Sequence, residues 1–334
     1  MLSEMTSLLA ILFFFKSSPS APALPPERIQ AAAAHSASHG GHAFLVLQNG
    51  KVLHEAYANG HTKGEPHRIY SGTKAFWGLA ALAAEKDGLV DLDEPVSDTL
   101  REWQDDRRRS RITARQLLDF SSGLAPVFGL HENTFKDRTS AALKAPVAGS
   151  TGKSFIYGPA SLQVWHEVLA RKLRPQGQTP TRYLERKVLR GMGLGPQRYL
   201  PDQKGAPLLA SGFMLTARQW AGLGQWVLKH SEVQDMLEGG GNPAFSLGFW
   251  NNRAASSTAR EVDVESMLDR PWASQSWRGG CLSRAAPADM LACIGSYGQR
   301  LYIVPSLKLV IVRLAQDKKP DDAQMLRLLF SKEG

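Results

Sequence analysis

The residues best spaced for chemistry are a serine and a lysine three positions apart, Ser71 and Lys74. They precede an amphipathic segment, AFWGLAALAAEKDG, whose apolar spacing is typical of a helix. If that helix starts at or near Ser71, both side chains lie on one face, with a rise of roughly 4.5 Å between them. A serine hydroxyl is a poor nucleophile unless a base lies within hydrogen-bond reach. The pair therefore predicts a nucleophile, Ser71, with Lys74 as its base.

Lys74 can act as a base only when its amine is neutral. To be half neutral at pH 7, the pKa must fall from the reference value near 10.4 to about 7. Burial beneath Phe76 and Trp77, or a second cation close by, would lower the pKa in this way. The start of the same helix would present backbone N–H groups near Ser71, where they could hold an oxyanion.

A second serine and lysine with the same spacing occur in Ser150-Thr151-Gly152-Lys153. This copy lies in a glycine-rich turn without a helical pattern after it, so we do not assign it catalysis. Its Gly-Lys-Ser sequence also imitates a phosphate-binding loop. The first glycine of that motif is replaced by Val147, which argues against nucleotide binding.

Strand patterns lie at both ends of the chain, and helical patterns fill the middle. Asn49-Gly50 separates two strand-like runs, AFLVL and VLHEAYA, and predicts a β-hairpin. Helical spacing predominates over roughly 75–230, and strands return at 300–304 and 309–314, before a last helix at 321–330. This order predicts an α/β (α+β) fold. One antiparallel sheet is built from both chain ends and flanked by helices, with an inserted, mostly helical subdomain.

Five ordered stretches resemble one enzyme family. They are YSGTKAFWGLAALAAEKDGLVDLDEPVSDTL, ITARQLLDFSSGL, FIYGPASLQVWHEVLARKL, ASGFMLTARQWAGLGQWVL and PADMLACIGSYGQRLYIVPSLKLVIVRL. From about residue 43 to 330 the chain is similar to the serine β-lactamase and penicillin-binding-protein-like hydrolases. It most resembles their class C branch, which includes esterases and 6-aminohexanoate-dimer hydrolases. The resemblance implies the β-lactamase/transpeptidase-like fold.

The same resemblance implies roles for individual residues. Ser71 would be the acylated nucleophile, Lys74 its base or the partner of that base, and Tyr157 the tyrosine of the second motif, which relays protons. The backbone N–H groups of Ser71 and Ser296 would form the oxyanion hole. Gly295 and Gly298 would let the backbone approach the substrate closely.

Two motifs depart from the lactamase pattern. Tyr157-Gly158-Pro159 lacks the asparagine amide of the second motif, and Cys293-Ile294-Gly295 lacks the lysine of the third motif, which would hold an anionic substrate group. An esterase or amidase acting on a neutral or weakly charged acyl group therefore fits better than antibiotic hydrolysis. Two alternatives stay open: a β-lactamase or D-amino-acid peptidase, and a catalytically silent relative that binds peptidoglycan or a peptide.

The N-terminal residues predict export. The apolar run LLAILFFF is followed by Ala21-Pro22-Ala23, which fits a cleavage site, so residues 1–23 are expected to be a signal peptide. The mature hydrolase domain would span 24–334 and be periplasmic or secreted. Against this, the segment before the run contains Glu4 and no basic residue, so an apolar helix that is retained is the alternative. In an oxidising compartment Cys281 and Cys293 could pair; otherwise they would be buried thiols.

Composition excludes a disordered or collagen-like chain. Of 334 residues 43% are hydrophobic and 21% charged, which is ordinary globular composition. The net charge of +9 includes one dense basic cluster, residues 107–109, without the interleaved aromatics typical of nucleic-acid binding. The expected partner is a small-molecule or peptide-like ester or amide, with no nucleic acid, metal, cofactor or stable membrane span after processing. Trp272, Trp277 and Phe249 could line an acyl pocket or belong to the core.

Overall fold

The computed structural model describes residues 22–132, 134–238, 242, 244–317 and 320–331. The predicted signal peptide, residues 1–23, lies almost entirely outside the described residues, so it stays a prediction. Among the described residues, none of the helices is both long and apolar enough to cross a bilayer.

Most strands lie toward the two ends of the described chain, and most helices lie between them. The α-helices are α1 (Pro26–Ser38), α2 (Lys74–Lys86), α3 (Ala114–Leu118), α4 (Arg138–Leu143), α5 (Pro159–Leu173), α6 (Pro180–Leu184), α7 (Ala217–Leu228), α8 (Ser231–Glu238), α9 (Val264–Leu268) and α10 (Asp322–Phe330). The strands are β1 (Gly41–Gln48), β2 (Lys51–Tyr57), β3 (His67–Arg68), β4 (Met214–Leu215), β5 (Phe245–Ser246), β6 (Phe249–Asn251), β7 (Arg260–Glu261), β8 (Gly280–Cys281), β9 (Leu291–Gly295), β10 (Gln299–Val304) and β11 (Leu309–Ala315).

The main sheet confirms the prediction that both chain ends build it. Its strand order is β2-β1-β11-β10-β9-β6-β5, and every pair is antiparallel. The first and last strands, β1 and β11, are neighbours within the sheet, where Val46 lies opposite Ile311. The β1–β2 hairpin turns at Asn49 and Gly50, whose φ angles of 51° and 76° are those that such a turn requires.

Helices cover both faces of the sheet. On β11, Val310 faces Gly224 of α7, and Arg313 donates a 3.0 Å hydrogen bond to Ser36 of α1. Because successive side chains of a strand point to opposite faces, α7 and α1 lie on opposite sides. α10 packs beside α1. The helical region from α2 to α8 confirms the predicted insertion, but the short strands β5 and β6 that follow it were not predicted.

Cys281 and Cys293 do not form the disulfide that the sequence left possible, because both are buried free thiols. Cys293 lies in β9 opposite Leu301, within the main sheet. Cys281 lies in β8, which pairs with β7 in a separate two-stranded sheet. The two cysteines therefore lie in strands of different sheets. The alternative of buried thiols is the one observed.

Candidate active site

Ser71 lies in a tight turn that leads directly into α2. Residues 70–73 form a 3₁₀ turn, and the α-helix begins at Lys74, three residues later than the earliest predicted start. Tyr70, directly before the serine, has φ 46°, a left-handed conformation that is rare for a bulky residue. Such strain is held in place by surrounding structure and is concentrated at functional sites.

The Lys74 amine lies within hydrogen-bond distance of the Ser71 hydroxyl. Its Nζ lies 2.7 Å from Ser71 Oγ and donates a 2.9 Å hydrogen bond to the Ala210 carbonyl. The lysine is only 2% exposed and has no carboxylate partner among its hydrogen bonds in the described chain. Burial lowers the pKa of Lys74 to about 7. Of the two causes considered from the sequence, burial is therefore the one that acts.

The Tyr157 side chain completes a three-residue group. Its ring centroid lies 4.7 Å from Lys74 Nζ. Burial raises the pKa of Tyr157 well above its usual range, and a side-chain hydrogen bond with Ser71 acts in the opposite direction. The phenol is therefore neutral at physiological pH. Gly158 follows because a Cβ there would overlap Pro126, and Pro159 then opens α5.

Ser296 lines the same cavity as Ser71, and the oxyanion-hole role of its backbone N–H stays a prediction. Ser296 follows the last residue of β9 and starts a turn whose Tyr297 has φ 64°. Glu265 of α9 accepts hydrogen bonds from the N–H groups of Tyr297 (3.0 Å) and Gly298 (3.1 Å). This carboxylate therefore fixes the turn beside the nucleophile.

The two glycines predicted to bind substrate contact the protein itself. A Cβ on Gly295 would overlap the carbonyl oxygen of Ile69, just before the nucleophile turn. Gly298 has φ 80°, and a Cβ there would overlap the Arg313 guanidinium. Neither glycine lines the cavity next to Ser71. Packing and backbone conformation thus account for both glycines, and contact with substrate stays a prediction.

A cavity of about 330 Å³ opens over the three-residue group. It brings together segments from distant parts of the chain. Its lining residues are Tyr70, Ser71, Phe128, His131, Tyr157, Ser211, Leu268, Asp269 and Ser296. Ser71, Tyr157 and Ser296 were predicted from the sequence.

Sequence reasoning missed several residues of this cavity. Burial, together with the charge of Lys74, lowers the pKa of His131 to about 4, so its imidazole is neutral. Asp269 follows α9 and is the carboxylate in the lining. Ala210 supplies the carbonyl that orients Lys74. None of the three stands in a recognisable motif, although Ala210 begins the fourth stretch of the family resemblance.

The second serine–lysine pair is not built for the same chemistry. Residues 151–158 contain no helix, and Lys153 is exposed. This lysine therefore lacks the burial that surrounds Lys74. Among the described residues, His, Cys, Asp and Glu side chains form no group of three arranged to hold a metal ion.

This chain resembles one curated protein in sequence and several solved structures in fold. Monacolin J acid methylbutanoyltransferase from Aspergillus terreus is 29% identical over 165 residues, 42% of this chain and 39% of that protein. The match thus spans well under half the length of this curated relative. EstCE1, a hydrolase with promiscuous acyltransferase activity, superposes with a TM-score of 0.65 at 15% identity, over 91% of this chain and 98% of that one. A D-stereospecific amidohydrolase from Streptomyces sp. gives 0.63 at 14%, over the same shares of the two chains.

The structural likenesses show the shared fold, and a family description covers nearly the whole chain. The model of the Beta-lactamase family matches residues 27–332. This range includes every residue of the cavity and all strands of the main sheet. The chain belongs to the beta-lactamase family, whose members are serine hydrolases or acyltransferases.

Proposed function

We propose that the protein is a serine hydrolase that cleaves an ester or amide through an acyl-Ser71 intermediate. The observation that carries the proposal is the 2.7 Å contact between Ser71 Oγ and a buried Lys74 amine whose pKa lies at about 7. At that pKa about half of the amine is neutral at pH 7, which is the condition for a base.

Acylation starts with transfer of the Ser71 hydroxyl proton to neutral Lys74 as Oγ attacks the substrate carbonyl carbon. The negative charge that develops on the carbonyl oxygen is stabilised by the backbone N–H groups of Ser71 and Ser296. When the intermediate collapses, the bond between the carbonyl carbon and the leaving group breaks. The leaving group takes the proton from Lys74 through the hydroxyl of Tyr157.

Deacylation uses the same groups in reverse. Water attacks the acyl carbon and gives a proton to neutral Lys74 by way of Tyr157. The bond between the acyl carbon and Ser71 Oγ then breaks, Oγ regains the proton, and the acid leaves. The raised pKa of Tyr157 suits a neutral phenol that passes protons on, rather than a phenolate base.

The cavity favours a neutral acyl group over an anionic substrate. Its lining contains the carboxylate of Asp269 and no lysine or arginine. At the third motif, Cys293 is buried within β9, where lactamases carry a lysine. An anionic substrate such as a β-lactam would therefore find no cation where the motif normally supplies one.

Transfer of the acyl group to an alcohol is a second candidate, because one curated relative is named as an acyltransferase and EstCE1 as a hydrolase with that side activity. The acyl-Ser71 intermediate is the same in both reactions. Incubation with an activated ester and butanol distinguishes them, since transfer yields the butyl ester in place of the acid.

Intact-protein mass spectrometry after brief exposure to p-nitrophenyl butyrate tests the proposal. We expect one added butyryl group on the wild type and none on Ser71→Ala. Ser150→Ala is the matched control, because it removes the serine of the other serine–lysine pair, and it should still be acylated. An adduct with nitrocefin and none with the ester would favour a β-lactamase. The absence of adducts with all substrates would favour a silent binding protein.

A further inference from the structure

A second cleft, of about 670 Å³, lies apart from the residues assigned to catalysis. None of Ser71, Lys74, Tyr157 and Ser296 lines it. Its lining residues are Ser121, Gly152, Lys153, Ser154, Phe155, Asn242, Trp272, Ala273, Gln275, Trp277 and Arg278. It therefore contains the lysine of the rejected serine–lysine pair and both tryptophans that the sequence left unassigned.

The charged residues that line the second cleft are all basic. Lys153 and Arg278 are its charged residues, and the lining includes no aspartate or glutamate. Both side chains are exposed and make no hydrogen bond or ion pair within the described chain. Many other basic residues are neutralised, as Arg171 is by Glu102 at 2.7 Å. Two unpaired cations lining one concave cleft attract an anion.

Aromatic rings form another wall of the same cleft. Trp277 is held edge-to-face against Phe155, with 5.2 Å between ring centroids, and its indole N–H donates a 3.0 Å hydrogen bond to Gln275. Trp272 is half-buried, so part of its ring lines the cleft. Indole faces bind aromatic rings, or the apolar C–H face of a sugar ring, by dispersion.

The second cleft adjoins the catalytic cavity through two short chain segments. Phe155 lines the cleft and Tyr157, two residues later, lines the cavity; their ring centroids are 6.3 Å apart. Likewise, Asp269 lines the cavity and Trp272 lines the cleft. The Phe155 ring would thus stand between a small molecule bound in the cleft and the phenol of Tyr157.

We propose that the second cleft is a binding site for a small anion that carries a ring. The carboxylate or phosphate would contact Lys153 and Arg278, where the guanidinium allows a bidentate contact. The ring would lie against Trp272, and the hydroxyls of Ser121 and Ser154 would take its polar substituents. The site does not depend on the activity proposed for Ser71.

Ligand-observed NMR titration with two matched pairs of probes tests this site. The pairs are D-glucuronate with D-glucose, and benzoate with benzamide, so each pair differs in charge and the two pairs differ in ring type. We expect one anion at least to bind about fivefold more tightly than its neutral partner, as two partly solvated cations allow. The pair that responds identifies the ring as sugar or aromatic.

Lys153→Ala combined with Arg278→Ala should abolish that preference. Lys51→Ala combined with Arg107→Ala is the matched control, because these exposed cations lie outside the cleft, and it should retain the preference. Trp272→Leu should weaken binding of the anion and of its neutral partner together. Equal binding of the anionic and neutral probes by the wild type would overturn the proposal. So would a preference that survives in the double variant, because the anion would then bind elsewhere.

Discussion

At the scale of one residue, the proposed chemistry depends on a single buried amine. Lys74 lies among fully buried neighbours such as Phe76 and Trp77, and its hydrogen bonds go to a hydroxyl and a carbonyl. Within the described chain, those hydrogen bonds include no carboxylate that would stabilise an ammonium ion. The folded protein therefore disfavours the charged form, and the resulting neutral form is the one that can accept a proton.

The activity should follow the titration of Lys74. If the neutral amine acts as the proposed base, kcat/KM for p-nitrophenyl butyrate should fall about tenfold per pH unit below about pH 7 and level off above it. Lys74→Arg should be inactive throughout, since a guanidinium does not lose its proton in this range. A rate that stays constant down to pH 5.5 would contradict the assignment.

Asp269 should select substrates by charge. Choline butyrate and 3,3-dimethylbutyl butyrate have nearly the same shape, and only the first carries a positive charge. In Asp269→Asn the ratio of their kcat/KM values should fall by about 2- to 5-fold, the size expected for a solvent-exposed ion pair. The exposed Asp105, which lies outside the cavity lining, gives the control Asp105→Asn. An unchanged ratio in Asp269→Asn would show that the carboxylate does not contact the alcohol group.

At the scale of elements, the turn between β5 and β6 packs tightly against α2, the helix that follows Ser71. Gly78 of α2 faces the carbonyl oxygen of Leu247 so closely that a Cβ would overlap it. A Cβ on Gly248 would lie 2.6 Å from the carbonyl oxygen of Lys74. The buried carboxylate of Asp119 holds the same turn, since Leu247 N–H donates a 2.9 Å hydrogen bond to it. The turn therefore fixes where α2 begins.

Gly78→Ala should disturb this contact. We expect a loss of about 1–3 kcal/mol in the free energy of unfolding, the usual effect of overpacking, and reduced acylation of Ser71. Urea denaturation and acylation rates measure the two effects. Gly64→Ala is the control, because nothing lies within 4 Å of a Cβ there, and its stability should change by less than about 0.5 kcal/mol. Equal stability of the two variants would contradict the packing argument.

Local patterns predicted the long elements and the core of the site, and they failed where distant segments meet. Periodic apolar residues identified α2 and the helical middle of the chain, and the spacing of Ser71 and Lys74 predicted the side-chain contact that the structure contains. Tyr157 needed the family resemblance in addition. β5 and β6 are two and three residues long, too short for a pattern to emerge. His131 and Asp269 join the cavity only through tertiary packing, which no local spacing records.

At the scale of the whole molecule, one buried arginine links the sheet to two helices. Arg300 of β10 donates hydrogen bonds of 2.7 and 2.8 Å to Asp322 at the start of α10, and of 2.8 Å to Glu265 of α9. The arginine is fully buried. Because Glu265 also holds the turn after Ser296, the packing of the C-terminal helix is connected to the geometry of the active site.

Asp322→Asn should therefore destabilise the entire fold. Loss of one partner leaves the buried guanidinium poorly compensated, which costs about 3–5 kcal/mol. Asp321→Asn is the matched control, because asparagine replaces aspartate well at the first position of a helix, where Asp321 accepts a bond from Gln324. Chemical denaturation of both variants measures the difference. Similar midpoints would show that the Arg300 pair contributes little.

The pairing of the first strand with the last has a consequence for synthesis. β1 (Gly41–Gln48) is translated long before β11 (Leu309–Ala315), yet each is the neighbour of the other in the sheet. The whole intervening segment must therefore leave the ribosome before β1 can pair with β11. Contacts between segments so far apart in sequence slow folding, so a nascent chain spends this interval with the edge of its first hairpin unpaired.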